Sequence, residues 1–155
     1  GNSRKSVPNR LEKHPNNQKA RQESLMKNKT AKDIMKKDVV TVKADTVVLD
    51  AIRTMLDHDI STLFVTGADG KLAGVVSEHD IINFTFSGDA GDTRVSEAMT
   101  TSVVAYEPDT DLATLVNCCV TKRIRVVPIV TDAKVVGVIG RRDILRETLQ
   151  MYQRM

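Results

Sequence analysis

The chain is written twice. Asp33-Ile34-Met35 recurs as Glu97-Ala98-Met99, and Val39-Val40-Thr41-Val42 as Val103-Val104-Ala105-Tyr106, both 64 residues downstream. The same offset carries Asp45-Thr46 to Asp109-Thr110 and Ile60 to Ile124, while Gly74 and Asp80 reappear 63 residues on as Gly137 and Asp143. A period of this length means two copies of one supersecondary unit. A lone copy of about 55 residues would leave one sheet face uncovered, so the pair is the expected folding unit.

Each copy opens with a short β-branched strand, followed by Asp-Thr, residue types that satisfy free amides at a helix start. A helix then follows. Its apolar positions are Val48, Ala51, Ile52, Met55 and Leu56 in the first copy and Leu112, Leu115, Val116, Cys119 and Val120 in the second. Both sets run i, i+3, i+4, i+7, i+8, which is one stripe along a helix. Two apolar runs follow in each copy, Leu63-Phe64-Val65 with Leu72 to Val76, and Val126 to Val130 with Val135 to Ile139. Turn formers separate them, so they read as hairpin strands. A second helix closes each unit, from Glu78 to about Phe84 and from Arg141 to about Met151. The expected fold is α/β (α+β): two β-α-β-β-α repeats packed sheet to sheet about a pseudo-two-fold, over residues 30–92 and 93–155.

Residues 1–29 contain Pro8, Pro15 and many Asn, Gln and Lys, with little apolar periodicity beyond Leu11, Leu25 and Met26, and are expected to be a basic flexible tail or linker. Residues 1–30 hold eight Lys/Arg against two Glu, so under a whole-chain charge of +3 the remainder carries −3. The basic balance therefore belongs to that segment and is no sign of nucleic-acid binding by the folded part. Three Phe, two Tyr and no Trp also leave no stacking platform for single strands. No run approaches the roughly eighteen apolar residues of a membrane span, and the first thirty lack a signal-peptide core. The chain is expected in the cytoplasm. The adjacent Cys118 and Cys119 read as reduced packing residues. Glycine in place of an initiator methionine points to an expression scar, and leaves open a fused domain beyond this segment.

Asp-Ile-Met before the first strand, Asp-Thr before the helix, and Gly-apolar-apolar-x-x-x-Asp at the last strand resemble the CBS repeat, over residues 30 to about 150. The most informative segment of that family, Gly-h-h-(Ser/Thr)-x-x-Asp, stands here as Gly74-Val75-Val76-Ser77-Glu78-His79-Asp80 and Gly137-Val138-Ile139-Gly140-Arg141-Arg142-Asp143. The first copy matches fully; the second has Gly140 for Ser/Thr. The resemblance implies a tandem pair, or Bateman module, that binds an adenine nucleotide and transmits its presence to an attached or partner protein. AMP is the foremost ligand, with ADP, ATP, NAD and S-adenosylmethionine as the others of the class. It also implies a homodimer formed through helices, with an effector protein of unknown identity.

The motif makes physical sense as a binding site. A strand ends, a helix begins, and its free amides and positive dipole end face a cleft where phosphate can sit. A carboxylate there matches both hydroxyls of a ribose, the role assigned to Asp80 and Asp143. The competing reading is a capping box, in which Ser77 and Asp80 satisfy backbone amides. For the second repeat the expected site is Ile124, Arg125, Val126, Pro128, Gly137, Val138, Arg141, Arg142 and Asp143. Three guanidinium groups there suit phosphate oxygens. The alternatives are a salt bridge for Arg125 and a solvated first helical turn for Arg141 and Arg142. For the first repeat the site is Ile60, Ser61, Thr62, Val76, Ser77, His79 and Asp80, where His79 would make phosphate binding depend on pH. An exposed helix histidine without a role is the other reading of His79. The adenine ring is expected between Ile60 or Ile124 and Val76 or Val138.

Catalysis finds no support in the sequence. There is no paired-carboxylate motif, no Ser or Cys nucleophile with an ordering histidine, and no metal-ligand spacing among His14, His58 and His79. The alternatives to a sensor are a ligand-free dimerisation module and the sensor half of a larger regulator or transporter.

Overall fold

The computed structural model describes residues 15–87 and 89–154. It is a mixed α/β fold of two repeats. The first holds strand β1 (Thr41–Lys43), helix α3 (Val48–His58), strands β2 (Thr62–Thr66) and β3 (Leu72–Ser77), and helix α4 (Glu78–Ser87). The second holds α6 (Leu112–Lys122), β4 (Val126–Thr131), β5 (Lys134–Gly140) and α7 (Arg141–Gln153). Helix α1 (Pro15–Asn28) precedes the first repeat, which the short α2 (Ala31–Ile34) opens, and the short α5 (Val95–Ala98) opens the second.

The hairpins form as the alternation requires. β2 pairs antiparallel with β3, and β4 with β5, with the register shifting near the end of β2 and β4. β1 lies parallel to β2, Thr41 opposite Phe64. The second repeat lacks the matching strand expected over Val103–Tyr106, and only Tyr106 bridges to Ile129. Pro128 stands where the first repeat has Phe64, and its missing N–H removes the ladder bond that would extend the pairing upstream.

Helix starts also depart from the sequence reading. Asp45-Thr46 and Asp109-Thr110 sit in the turns before the helices, not at the caps. α3 begins after Val47 without a side-chain cap, whereas Asp111 caps α6 by accepting from the Thr114 N–H at 2.7 Å. The stripes of α3 and α6 bury Val48, Ala51, Met55, Leu112 and Leu115, but their last positions face solvent: Leu56 is 75% and Val120 71% exposed.

What joins the repeats is an exchange of their leading segments. α2 and α5 stand at equivalent places in the two copies, yet each packs on the other copy's core. Ala31, Ile34 and Met35 join Leu112, Leu115, Val127, Ile129 and Ile139. Val95, Ala98 and Met99 join Val48, Ala51, Leu63, Val65 and Val76. Backbone bonds repeat the swap at equivalent positions. The Ala31 N–H donates to the Thr110 carbonyl at 2.8 Å and the Val95 N–H to that of Thr46 at 2.7 Å. Val138 and Lys36 exchange two bonds, as do Val75 and Thr100. Glycine is required under each crossing methionine. A Cβ on Gly74 would lie 2.6 Å from Met99 Sδ and 2.8 Å from the Thr100 oxygen; one on Gly137 would lie 2.8 Å from Met35 Cγ.

Residues 15–28, expected to be part of a flexible tail, instead form α1, with Leu25 and Met26 packed against the second core. Just beyond it, Lys29 pairs with the buried Glu147 of α7. Two apolar side chains and one ion pair are thus enough to dock a helix that shows almost no apolar stripe in sequence. The part of the tail expectation covering residues 1–14 lies outside the described residues.

Candidate functional site

The exchange carries residues of both repeats into each cleft at their junction. The larger cleft has a volume of about 550 Å³, within the range of small-molecule sites. Repeat 1 supplies Lys36, Asp38, Val39 and Val40 from the crossing segment, then Asp59, Ile60, Ser61 and Thr62 from the turn after α3. Repeat 2 supplies Arg125, Val126, Val138, Gly140, Arg141, Arg142 and Asp143. Two further cavities of about 390 and 330 Å³ share Thr62, Ser77 and Arg125. His79 and Ile82 line the first; Val75, Val103, Val104, Ile124 and Pro128 line the second.

Much of each expected group stays together: Arg125, Val126, Val138, Arg141, Arg142 and Asp143 line the larger cleft, and Ser61, Thr62, Ser77 and His79 line one cavity. The exchange adds Ile60, Ser61 and Thr62 to the cleft of Asp143, and puts Ile124 and Pro128 in a cavity with Ser77. Gly137 lies beneath Met35, away from the larger cleft. Val76 is fully buried in the first core, and Val75 faces the cavity in its place. Gly74 aligns with Gly137, so Val138 matches Val75 and Val76 matches the buried Ile139. A strand alternates faces, so a one-residue slip exchanges core for cleft.

Asp143 is fixed rather than free. The Gly140 N–H donates to its Oδ2 at 2.8 Å, and Arg146 donates to its Oδ1 at 3.0 Å. Lys36, from the crossing segment, lies 3.7 Å from the same Oδ1. The carboxylate is 8% exposed, and its two oxygens keep further acceptor directions beyond these bonds. Asp80 follows the capping-box pattern. Its Oδ2 accepts from the Ser77 N–H at 2.8 Å and Oγ–H at 2.9 Å, and its own N–H donates to Ser77 Oγ at 3.2 Å. Asp80 is not among the residues lining the cavities around Ser77. The two aspartates thus share one backbone-capping geometry, and only Asp143 also lines a cleft.

The basic side chains are available. Arg125, Arg141 and Arg142 are all exposed and form no ion pair among the described residues, which leaves the expected alternative of a salt bridge for Arg125 unfilled there. Arg125 lines the larger cleft and both further cavities, and its carbonyl accepts from the Arg141 N–H at 3.2 Å. Gly140 is not demanded by space, since a Cβ there would meet Asp143 Oδ2 at 3.5 Å and nothing closer. His79 is exposed and its ring nitrogen lies 3.4 Å from the Asn83 amide. The two thiols are free, Cys118 buried and Cys119 partly so, and burial pushes the Cys119 thiol up, away from reactivity.

Sequence reasoning missed Lys36, Asp38, Val39, Val40 and Asp59. Lys36-Lys37-Asp38 reads as a solvated charge run, and nothing local shows that it crosses to the other repeat. The one available signal was the repeat itself, since a leading segment of equal length in each copy is what an exchange needs.

The sequence profile of the CBS domain matches residues 31–86 and again residues 95–149. The chain is 31% identical over 119 residues to inosine-5'-monophosphate dehydrogenase of Methanocaldococcus jannaschii, covering 76% of this chain and 23% of that enzyme. It spans about a quarter of the length of such curated enzymes. Among solved structures it is similar to CBSX2 in complex with AMP, with a TM-score of 0.72 and 25% identity, covering 79% of this chain and 98% of that one. The CBS domain pair of protein MJ0100, in complex with 5'-methylthioadenosine and S-adenosyl-L-methionine, gives a TM-score of 0.70 at 25% identity, over 79% and 98% of the two chains. No helix among the described residues is long and apolar enough to cross a membrane.

Proposed function

This chain belongs to the CBS domain family, and from that premise we propose that it is a regulatory module that senses an adenine nucleotide, AMP foremost, in the larger cleft and performs no chemistry of its own. The observation that carries this reading is the meeting of three arginines, without ion-pair partners among the described residues, with a carboxylate at the start of α7, in one cleft of suitable volume. Arg125, Arg141 and Arg142 take the phosphate, helped by the positive dipole end of α7. Asp143, already oriented by Gly140 and Arg146, accepts from the ribose hydroxyls. The base lies between Ile60 and Val138. The solved relatives with AMP and with S-adenosyl-L-methionine support the ligand class.

Because the cleft is built from both repeats, a ligand bridging Arg125 and the Lys36–Val40 segment favours one relative arrangement of the pair. That arrangement is what a partner reads. The repeats are taken as residues 30–92 and 93–155, acting in the cytoplasm as a homodimer alongside an effector protein. Exposed Leu56, Ile82, Phe86, Val120, Leu145 and Leu149 on the helices favour self-association, and also favour the second reading, a ligand-free dimerisation module.

Calorimetric titration with AMP, ADP, ATP, NAD and S-adenosylmethionine decides between them. The expected result is binding of at least one ligand, weakened about tenfold or more in Arg125→Ala by loss of charge-assisted hydrogen bonds, with the variant's melting curve unchanged. No heat with any of the five would leave the dimerisation module standing.

A further inference from the structure

The larger cleft is not simply basic. Beside Lys36, Arg125, Arg141 and Arg142 it is lined by Asp38 and Asp59 as well as Asp143. Asp143 is committed to Gly140, Arg146 and Lys36, whereas Asp38 and Asp59 are exposed and form no ion pair among the described residues. Four basic side chains thus face three carboxylates, one positive charge in excess. Arg146, which binds Asp143 but is not among the lining residues, brings the excess to two. A phosphate monoester carries about −1.5 to −2 near neutral pH, so it closes this balance. Each further phosphoryl group adds negative charge that no other lining cation meets, and places it in the field of Asp38 and Asp59.

We infer that Asp38 and Asp59 set the charge selectivity of the cleft, admitting a nucleoside monophosphate and rejecting a metal-free triphosphate. This rests on the nucleotide reading given above. A divalent cation changes the outcome in a defined way. Carried on the triphosphate, it offsets the added charge and is attracted by the same two carboxylates, so the metal complex of ATP binds better than ATP alone. Asp59 has a left-handed backbone, φ 51°, which asparagine adopts readily. Asp59→Asn therefore removes the charge and keeps the turn, and Asp38→Asn is a change at an exposed position.

The test is calorimetric titration of AMP and of ATP, each in EDTA and in Mg²⁺, into the parent chain and into the Asp38→Asn/Asp59→Asn double variant. The melting curve of the variant serves as the check on folding. The expected result for the parent is that ATP in EDTA binds at least about tenfold more weakly than AMP, as repulsion across a partly solvated cleft allows. Mg²⁺ should narrow that gap, and the double variant should narrow it in EDTA to a similar extent while leaving AMP affinity equal or better. Metal-free ATP binding as tightly as AMP in the parent would overturn the inference and leave the nucleotide reading intact. An AMP-to-ATP ratio unchanged in the variant would do the same. If neither AMP nor ATP binds the parent, the selectivity inference is overturned, and the nucleotide reading falls as well if ADP, NAD and S-adenosylmethionine also give no heat.

Discussion

Gly137→Ala offers a direct test of the exchange between repeats. Gly137 has no backbone angle that only glycine can adopt, so the substitution is felt through space alone. Its Cβ would press on Met35, 2.8 Å from Cγ and 3.1 Å from Cβ, with Sδ closer still. Overpacking of this kind costs about 1–3 kcal/mol, offset by about 0.4–1 kcal/mol from the stiffer unfolded chain. The net loss is on the order of 1–2 kcal/mol, or about 2–8 °C in Tm for a chain of this size. Gly74→Ala should cost at least as much, because one of the atoms it meets is the Thr100 backbone oxygen. The two sites differ in how they can be relieved. The three nearest atoms at Gly137 all belong to the Met35 side chain, so Met35→Ala should largely absorb the added methyl. A double-mutant cycle on Met35 and Gly137, followed by urea denaturation, should then show a coupling of about 1 kcal/mol in the relieving direction. The matching cycle on Met99 and Gly74 should show less, since the Thr100 oxygen remains. Equal couplings in the two cycles, or full additivity at Gly137, would refute the crossing of Met35 over β5.

Three further outcomes follow from the same structure. Lys29→Met leaves the buried Glu147 of α7 without its cation and should destabilise by about 1–3 kcal/mol, with earlier proteolytic cleavage in α1, whereas a mobile tail would show no change in either. Asp80→Ala removes the bonds to Ser77 and should cost about 1 kcal/mol in thermal unfolding; a null effect would contradict the capping role. Thr30, through its N–H and then its hydroxyl, holds the Asp33 carboxyl below its ordinary value of 3.8. Its folded state therefore prefers the charged form. The resulting stability is complete above that ordinary value and is lost as pH falls below it through the lowered folded value. Asp33→Asn should flatten this part of the acid limb in a pH series of unfolding curves, and an unchanged limb would dismiss the Thr30 contact.

Part of this architecture is legible residue by residue. The stripes Val48–Met55 and Leu112–Cys119 place the helices because 3.6-residue periodicity is a local property, and Leu63–Val65 and Val126–Val130 place strands for the same reason. Arg125, Arg141, Arg142 and Asp143 were read as one group and do line one cleft. The errors share a cause. Leu56 and Val120 continue their stripes into solvent, since periodicity does not show how far the covering core extends, and the strand pattern leaves open which of Val75 and Val76 faces the cleft. α1 escaped because docking by Leu25, Met26 and the Lys29–Glu147 pair leaves no periodic trace.

The duplication is legible in a recurrence 64 residues apart. The order of elements in each repeat and the strand-to-helix corners that bear Asp80 and Asp143 rest on spacing within about ten residues, where periodicity and capping chemistry act. That α2 and α5 change places, that Lys36, Asp38 and Asp59 share a cleft with the arginines of the other repeat, and that Asp143 lines this cleft are visible in the folded chain alone. A pattern states which residues of an element share a face, while the partner of that face is chosen by packing. At Gly137 and Met35 that choice joins residues a hundred positions apart, which no local spacing encodes.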